Sequence, residues 1–320
     1  MAAVIEVRDL EKYFDTPGGK LHAVDKVSFK IEHGKTMGVV GESGCGKSTL
    51  GRTMIHLQES TGGKIFFEGE DVTNVSGKKL KELRENMQII FQDPYSSLNP
   101  RMTVEDTVSE PIILSKRFKT RAEVREETSR IMEMVGIDNR MRSSYPHELD
   151  GGRRQRAGIA RAIALRPKFV VCDEPVSALD VSIQAQVLNL LQDLQKQQAM
   201  SYMFVTHDLS VVRHIADDIC VMYLGQLVET SPSKELFRLP LHPYTKALLS
   251  AVPSTDIHHE HKRIVLKGEL TSPVNPSPGC RFAARCAYVC DQCRQPQVLE
   301  EVVPKHYVSC CRCREINGLV

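Results

Sequence analysis

Short apolar runs punctuate the chain, and each ends in polar or glycine-rich residues. "TMGVV" (36–40) runs into "GESGCGKST" (41–49), and "QIIF" (88–91) into "QDPYSSLNP" (92–100). "FVVC" (169–172) runs into "DEPVSALD" (173–180), and "YMFV" (202–205) into "THD" (206–208). Runs this short and unalternated predict strands buried on both faces, as in a parallel sheet covered by helices. Between them lie stretches of helical spacing at 49–57, at 181–198 and after the Gly-Gly pair at 151–152, the last stopping before Pro167. Strand and helix in alternation predict an α/β fold, in which ligands gather at the carboxyl ends of the strands.

Composition narrows the classes. A length of 320 residues allows two domains, or one large domain with an appendage. Lys and Arg total 42 against 40 Asp and Glu, so nothing has the basic stripe of a nucleic-acid binder. No apolar run is long enough to span a bilayer, and "MAAVIEVRDLEKYF" (1–14) lacks the apolar core of a signal peptide, so a cytoplasmic chain is expected. Cysteine is unevenly placed. Cys45, Cys172 and Cys220 sit in or beside apolar segments, as reduced buried thiols do, whereas the other seven crowd into 280–313. The polar stretch 252–264 reads as a linker between these regimes, and His258, His259 and His261 within it as solvated rather than metal-binding.

Residues 41–48 fit G-x-x-x-x-G-K-[ST] between a buried strand and a helix. Gly41, Gly44 and Gly46 let the backbone curl with its N–H groups inward, making an anion cradle together with Ser43, Cys45 and Thr49. Lys47 adds a mobile cation for the outer phosphates, and the Ser48 hydroxyl is placed to ligate Mg²⁺. Asp173 and Glu174 close the apolar strand at 169–172, one suited to hold Mg²⁺ and the other to act as general base toward water. His207 ends the next strand, where an imidazole could bond a γ-phosphate. Gln92 ends another, as an uncharged group able to ligate Mg²⁺ and orient water.

In this order, the P-loop at 41–48, Gln92, "LDGGR" (149–153), the two-acid strand, "SALD" (177–180) and His207 resemble the ATP-binding subunit of an ABC transporter over residues 1–255. The resemblance implies a mainly parallel core sheet around the P-loop, an antiparallel β portion near the N-terminus, a helical subdomain at about 93–165, and a small Cys-rich region at 256–320. It implies that Phe14, or failing that Tyr13, stacks on adenine. It also implies a head-to-tail dimer in which ATP is sandwiched between one subunit's P-loop and the other's signature, here Asp150, Gly151 and Gly152, with Asp180 in the D-loop. "FQDPYSSLNPRMTV" (91–104), "HPYTKALLSAVP" (242–253) and "GELTSPVNPSPGCRF" (268–282) resemble the oligopeptide/dipeptide importer branch, and Tyr95-Ser96-Ser97 its F-type subunit, which pairs with a D-type partner. Implied partners are two membrane-spanning permease subunits and an extracytoplasmic peptide-binding protein. The implied location is the cytoplasmic face of a prokaryotic plasma membrane. The branch also serves nickel and sugars, so the solute stays open. The runner-up from another class is a soluble ABC ATPase, against which stands the lack of a coiled-coil insertion or second ATPase domain. A third reading makes the tail a redox sensor with the ATPase as its output.

Two departures stand out. The family's signature is usually Leu-Ser-Gly-Gly-Gln, and Asp150 sets an anion where the serine would meet the γ-phosphate on the partner, with Arg153 and Arg154 available to compensate. The resemblance aligns Cys280, Cys286, Cys293 and Cys310 as C-x5-C-x6-C-x16-C, a set on which some members carry a [4Fe–4S] cluster. Cys290, Cys311 and Cys313 are additional, and C-x2-C with C-x-C could instead build a Cys₄ zinc site.

Overall fold

A computed structural model describes residues 3–252, 263–266, 268 and 273–319, so His258, His259 and His261 lie outside the described residues. The strands in chain order are β1 (Ala3–Thr16), β2 (Gly19–Glu32), β3 (Thr36–Val40), β4 (Gly62–Phe67), β5 (Glu70–Asp71), β6 (Met87–Ile90), β7 (Phe169–Asp173), β8 (Ser201–Thr206), β9 (Asp218–Tyr223), β10 (Gln226–Pro232), β11 (Glu300–Val303) and β12 (His306–Val308). The N-terminal part is an antiparallel sheet in the order β2-β1-β4-β5. Its hairpin turn leaves only two residues between β1 and β2.

The chain divides into two compact units, one of Met1–Ile5, Ile31–Lys35 and Asn74–Met203, the other of Glu6–Lys30, Thr36–Thr73 and Phe204–Val320. In the first, β6 and β7 pair in parallel from Met87↔Phe169 to Ile90↔Cys172. Every residue of β7 is buried, which is why its sequence shows no polar alternation. Helices Val104–Ser115, Arg121–Met134 and Gly151–Ile163 fill most of the segment read as helical. Thr103 with Asp106, and Thr120 with Glu123, start two of them with reciprocal capping boxes. Arg142 ties these two together through Glu105 (2.5 Å) on the first and Ser129 (2.7 Å) on the second.

In the second unit β3 pairs in parallel with β9, Met37↔Asp218 to Val40↔Val221, and β10 continues antiparallel to β9. The cysteine-rich tail belongs to this unit: β12 pairs with β10, and β11 with β12. Phe282 packs into the core formed by Val40, Tyr223, Tyr244 and Leu236. A buried carboxylate organises the junction. Glu229 accepts from the backbone N–H of Leu241 (2.7 Å) and of His242 (2.9 Å) and pairs with His306 Nε2 (2.6 Å). The helix after the P-loop runs Lys47–Met54, shorter than the periodicity at 49–57 predicts. His56 turns left-handed at φ 57°, and the N–H of Leu57 folds back to the Arg52 carbonyl, closing the helix at that point.

Candidate nucleotide site and cysteine cluster

The loop between β3 and its helix is shaped by glycine. Gly46 has φ 105°, and a Cβ there would lie 1.9 Å from the Ala23 carbonyl oxygen. Gly44 has φ 78° with nothing within 4 Å, so its side is open for a ligand to approach the backbone. Lys47 is buried and donates to the carbonyls of Gly41 (2.8 Å) and Glu42 (2.9 Å). Those acceptors are neutral, so they orient the ammonium without cancelling its charge. The helix begins at Lys47 with no acidic residue in its first turn. A buried cation, an open backbone concavity and a helix N-terminus together fit a polyphosphate. Ser43, Cys45, Ser48 and Thr49 lie on this loop and first turn, with Cys45 fully buried and its pKa raised by burial.

Beside the loop, Tyr13 stacks on His22 at 4.0 Å and donates its hydroxyl to Asp25 (2.7 Å), while Lys12 lies over the Phe14 ring at 4.9 Å. Tyr13 is therefore held by protein partners, and Phe14 keeps its ring half-exposed. His207 directly follows β8 and is exposed. The next residue, Asp208, caps helix Leu209–Ile215 through the Ser210 N–H.

In the other unit Asp173 ends β7 fully buried, and Glu174 follows with φ 47°. A left-handed glutamate costs on the order of 1–3 kcal/mol, and such strain collects where a side chain must be aimed. Gln92 Nε2 donates to Glu174 Oε2 (3.1 Å), bringing these two predicted residues together. Asp150 caps helix Gly151–Ile163: Oδ1 accepts from the Arg153 N–H (2.7 Å), and the Arg153 guanidinium lies 3.4 Å from Oδ2. Its carboxylate thus already faces two donors. A Cβ on Gly152 would meet Ile183 at 2.8 Å, so the second signature glycine packs against helix Val181–Gln198. Asp180 stands at that helix's N-terminus, and Gln184 holds the preceding turn through the carbonyls of Val176 and Leu179 (both 3.0 Å).

The tail gathers its thiols by long-range packing. Each pair among Cys280, Cys286, Cys293 and Cys310 is close enough for charge on one sulfur to raise the pKa of another. Burial in the first place pushes Cys280 and Cys310 up to about 11. The tightest group is different: Cys293 Sγ lies 3.8 Å from Cys290 Sγ and 3.9 Å from Cys311 Sγ. Cys313 does not join it. Its buried side chain packs with Leu241 and Val308, which corrects the Cys290, Cys293, Cys311, Cys313 zinc set suggested by spacing. Two arginines inside "CRFAARC" escaped the sequence reading, because only the cysteines drew attention. Arg285 pairs with Glu42 of the P-loop (2.7 and 3.2 Å), and Arg281 with Asp25 and the Leu224 carbonyl.

Residues 24–177 match the model of the family described as ABC transporter, and residues 228–293 that of the oligopeptide/dipeptide transporter C-terminal region. The oligopeptide transport ATP-binding protein AppF of Bacillus subtilis is 49% identical over 318 residues, covering 96% of each chain. The chain belongs to the ATP-binding subunits of oligopeptide/dipeptide ABC transporters. OppF of Salmonella typhimurium, another oligopeptide transport ATP-binding protein, is 46% identical over 320 residues, covering 97% of this chain and 96% of that one. Among solved structures, cbiO1 of Clostridium perfringens, part of the ABC transporter complex cbiONQ, is similar at TM-score 0.66 and 26% identity, covering 75% of this chain and 92% of its own. The ATP-binding cassette MJ0796, in a dimeric post-hydrolysis state bound to ADP and Pi, is similar at TM-score 0.66 and 25% identity, covering 72% and 98%. This ABC ATPase thus has the α/β architecture of its family, with an antiparallel N-terminal sheet and parallel core pairings.

Proposed function

We propose that the chain hydrolyses ATP to power import of di- and oligopeptides through a membrane complex. The observation that carries this is the glycine cradle around the buried Lys47, on a chain 46–49% identical over nearly its whole length to oligopeptide transport ATP-binding proteins. Gly41, Ser43, Gly44, Cys45, Gly46, Lys47, Ser48 and Thr49 bind the phosphates, and Phe14 stacks on adenine in preference to Tyr13, whose ring is already stacked on His22 and whose hydroxyl is held by Asp25. Ser48, Gln92 and Asp173 would hold Mg²⁺, which when bound neutralises charge on the phosphates. Glu174 takes the proton of the attacking water, Gln92 keeps Glu174 aimed, and His207 bonds the γ-phosphate. Asp150, Gly151, Gly152 and Asp180 serve the nucleotide held by a partner ATPase. That partner is a D-type subunit, and the pair works with two permease subunits and an extracytoplasmic peptide-binding protein at the cytoplasmic face of the membrane. No helix among the described residues is long and apolar enough to cross a membrane.

In the tail, Cys280, Cys286, Cys293 and Cys310 would hold a [4Fe–4S] cluster, supported by the nearness of Cys280, Cys286 and Cys310 to one another and to Cys293. A second reading, a zinc ion on Cys290, Cys293 and Cys311, is favoured by spacing. Zn–S bonds of about 2.3 Å give a tetrahedron edge of about 3.8 Å, as found between these sulfurs. Iron and acid-labile sulfide in anaerobically purified protein support the cluster, and stoichiometric zinc the second reading. The transport reading is tested by reconstituting the complex in vesicles with labelled peptides. Uptake that needs ATP and stops with Glu174→Gln is expected, whereas nickel uptake without peptide uptake would reassign the solute.

A further inference from the structure

The tail segment between Cys280 and Cys286 touches the phosphate loop's supports at three points. Arg285, the last residue of a single helical turn (Ala283–Arg285), forms a two-pronged ion pair with Glu42, the second residue of the P-loop. The arginine is 9% exposed and the glutamate 26%, so the pair is partly shielded from water. The backbone of Glu42 is engaged as well: its N–H donates to the Tyr244 hydroxyl (2.9 Å), and its carbonyl accepts from Lys47. Phe282 packs edge-on to Tyr223 (5.3 Å between centroids) and beside Tyr244 (5.5 Å), the tyrosine that holds that N–H. Arg281 grips the Leu224 carbonyl and Asp25. The adjoining Gly225 donates to the carbonyl of Cys45 in the loop (2.8 Å), and Asp25 receives the Tyr13 hydroxyl.

From this geometry we infer that the segment Cys280–Cys286 is a clamp on the phosphate loop, in which Arg285 and Arg281 are positioning residues for nucleotide. Without Arg285 the Glu42 carboxylate is a free anion at the mouth of a site built for anions, and like charges at short range in a half-buried setting repel strongly. With it, the carboxylate is spent on the guanidinium, and the loop's first residues are pinned while Lys47 stays oriented. The clamp is attached at both ends to thiols: Arg281 follows Cys280 and Arg285 precedes Cys286. Any metal centre that draws Cys280 and Cys286 into fixed positions sets both arms, and by linkage nucleotide and metal then favour each other's binding. This link rests on the nucleotide and cysteine-cluster readings above.

The test is equilibrium binding of MgADP to the full-length chain. Arg285→Ala is expected to raise Kd about tenfold, within the usual range of such couplings. Arg285→Lys should recover part of that loss, and Glu42→Gln added to Arg285→Ala should recover most of it by removing the freed anion. A support role unrelated to nucleotide would lower the melting temperature and leave Kd unchanged, and that result overturns the clamp. Wild-type chain that binds no MgADP overturns the nucleotide reading itself. Chelation of the tail metal should weaken MgADP binding to the wild type and add nothing to Arg285→Ala. Equal weakening in both would overturn the link to the thiols while leaving the clamp.

Discussion

The phosphate loop and the cysteine-rich tail share one compact unit, yet contacts of opposite range build them. Lys47 is held by carbonyls five and six residues away. In the tail, Arg285 reaches Glu42 across 243 residues, Arg281 reaches Asp25 across 256, and His306 reaches Glu229 across 77. The loop's own backbone thus orients Lys47, while its flanks lean on Tyr244, Gly225 and Arg285 from far along the chain. A site assembled from both ends of the chain shares the stability of everything between.

The largest effect expected on the local side is catalytic. Glu174→Gln should cut ATP hydrolysis by on the order of 10²–10⁴ while MgATP binding persists, because the amide keeps the shape and cannot accept a proton. Phosphate release against equilibrium binding measures this, and turnover near wild type would remove Glu174 from the mechanism. Lys47→Ala should weaken binding itself, with little change in melting temperature.

On the long-range side, Glu229→Ala strands three donors, the N–H groups of Leu241 and His242 and the His306 ring, all buried. A loss of about 3–5 kcal/mol in denaturant unfolding is expected. An unchanged midpoint would break the comparison, since the tail would then be held independently of this node.

Acid should loosen the same junction next. Burial lowers the His242 pKa to about 4, against the weaker opposing pull of Glu229. The folded state therefore favours neutral His242, whose Nδ1 accepts from the Tyr244 N–H (3.1 Å). The unfolded chain binds the proton first, so this contribution is full above about pH 6.5 and fades as pH falls to about 4, by about 3 kcal/mol at most. His242→Asn, which keeps an acceptor, should flatten the stability profile in that window. A profile of unchanged slope would assign the acid sensitivity elsewhere.

The smallest effect sharpens the comparison at a second local motif. Asp150→Ala should cost about 1 kcal/mol through the lost cap, whereas Asp150→Ser keeps a cap and removes the anion. Within the reconstituted pair, Asp150→Ser should raise hydrolysis of the nucleotide held by the partner. If instead Glu174→Gln and the equivalent partner variant cause equal losses and the serine brings no gain, Asp150 does not make the two sites of the pair unequal.

Much of the fold, and the strand ends on which the proposed ATP site is built, was legible in the chain. The unalternated runs became β3, β7 and β8, helix Val181–Gln198 appeared where its periodicity placed it, and Asp173 and His207 stand at strand ends. The left-handed Glu174 was not legible, because its φ depends on how the chain leaves a buried strand. Spacing also misjudged the cysteines: Cys311 turns toward Cys293, while Cys313, two residues on, turns into an apolar pocket with Leu241 and Val308.

By itself the sequence determined the phosphate loop, the acidic strand end, the helix starts and the family. The hold on Lys47 and the helix caps are closed by bonds spanning a few residues, where little chain entropy is lost and the local residue types settle the geometry. Only the tertiary structure decided which thiols meet, and that Arg281 and Arg285 lie against the nucleotide loops. The pairs Arg285 with Glu42 and Arg281 with Asp25 join residues more than 240 positions apart, so they exist only once Phe282 has packed among Tyr223 and Tyr244 and the β10–β12 pairing has carried the tail back to the P-loop.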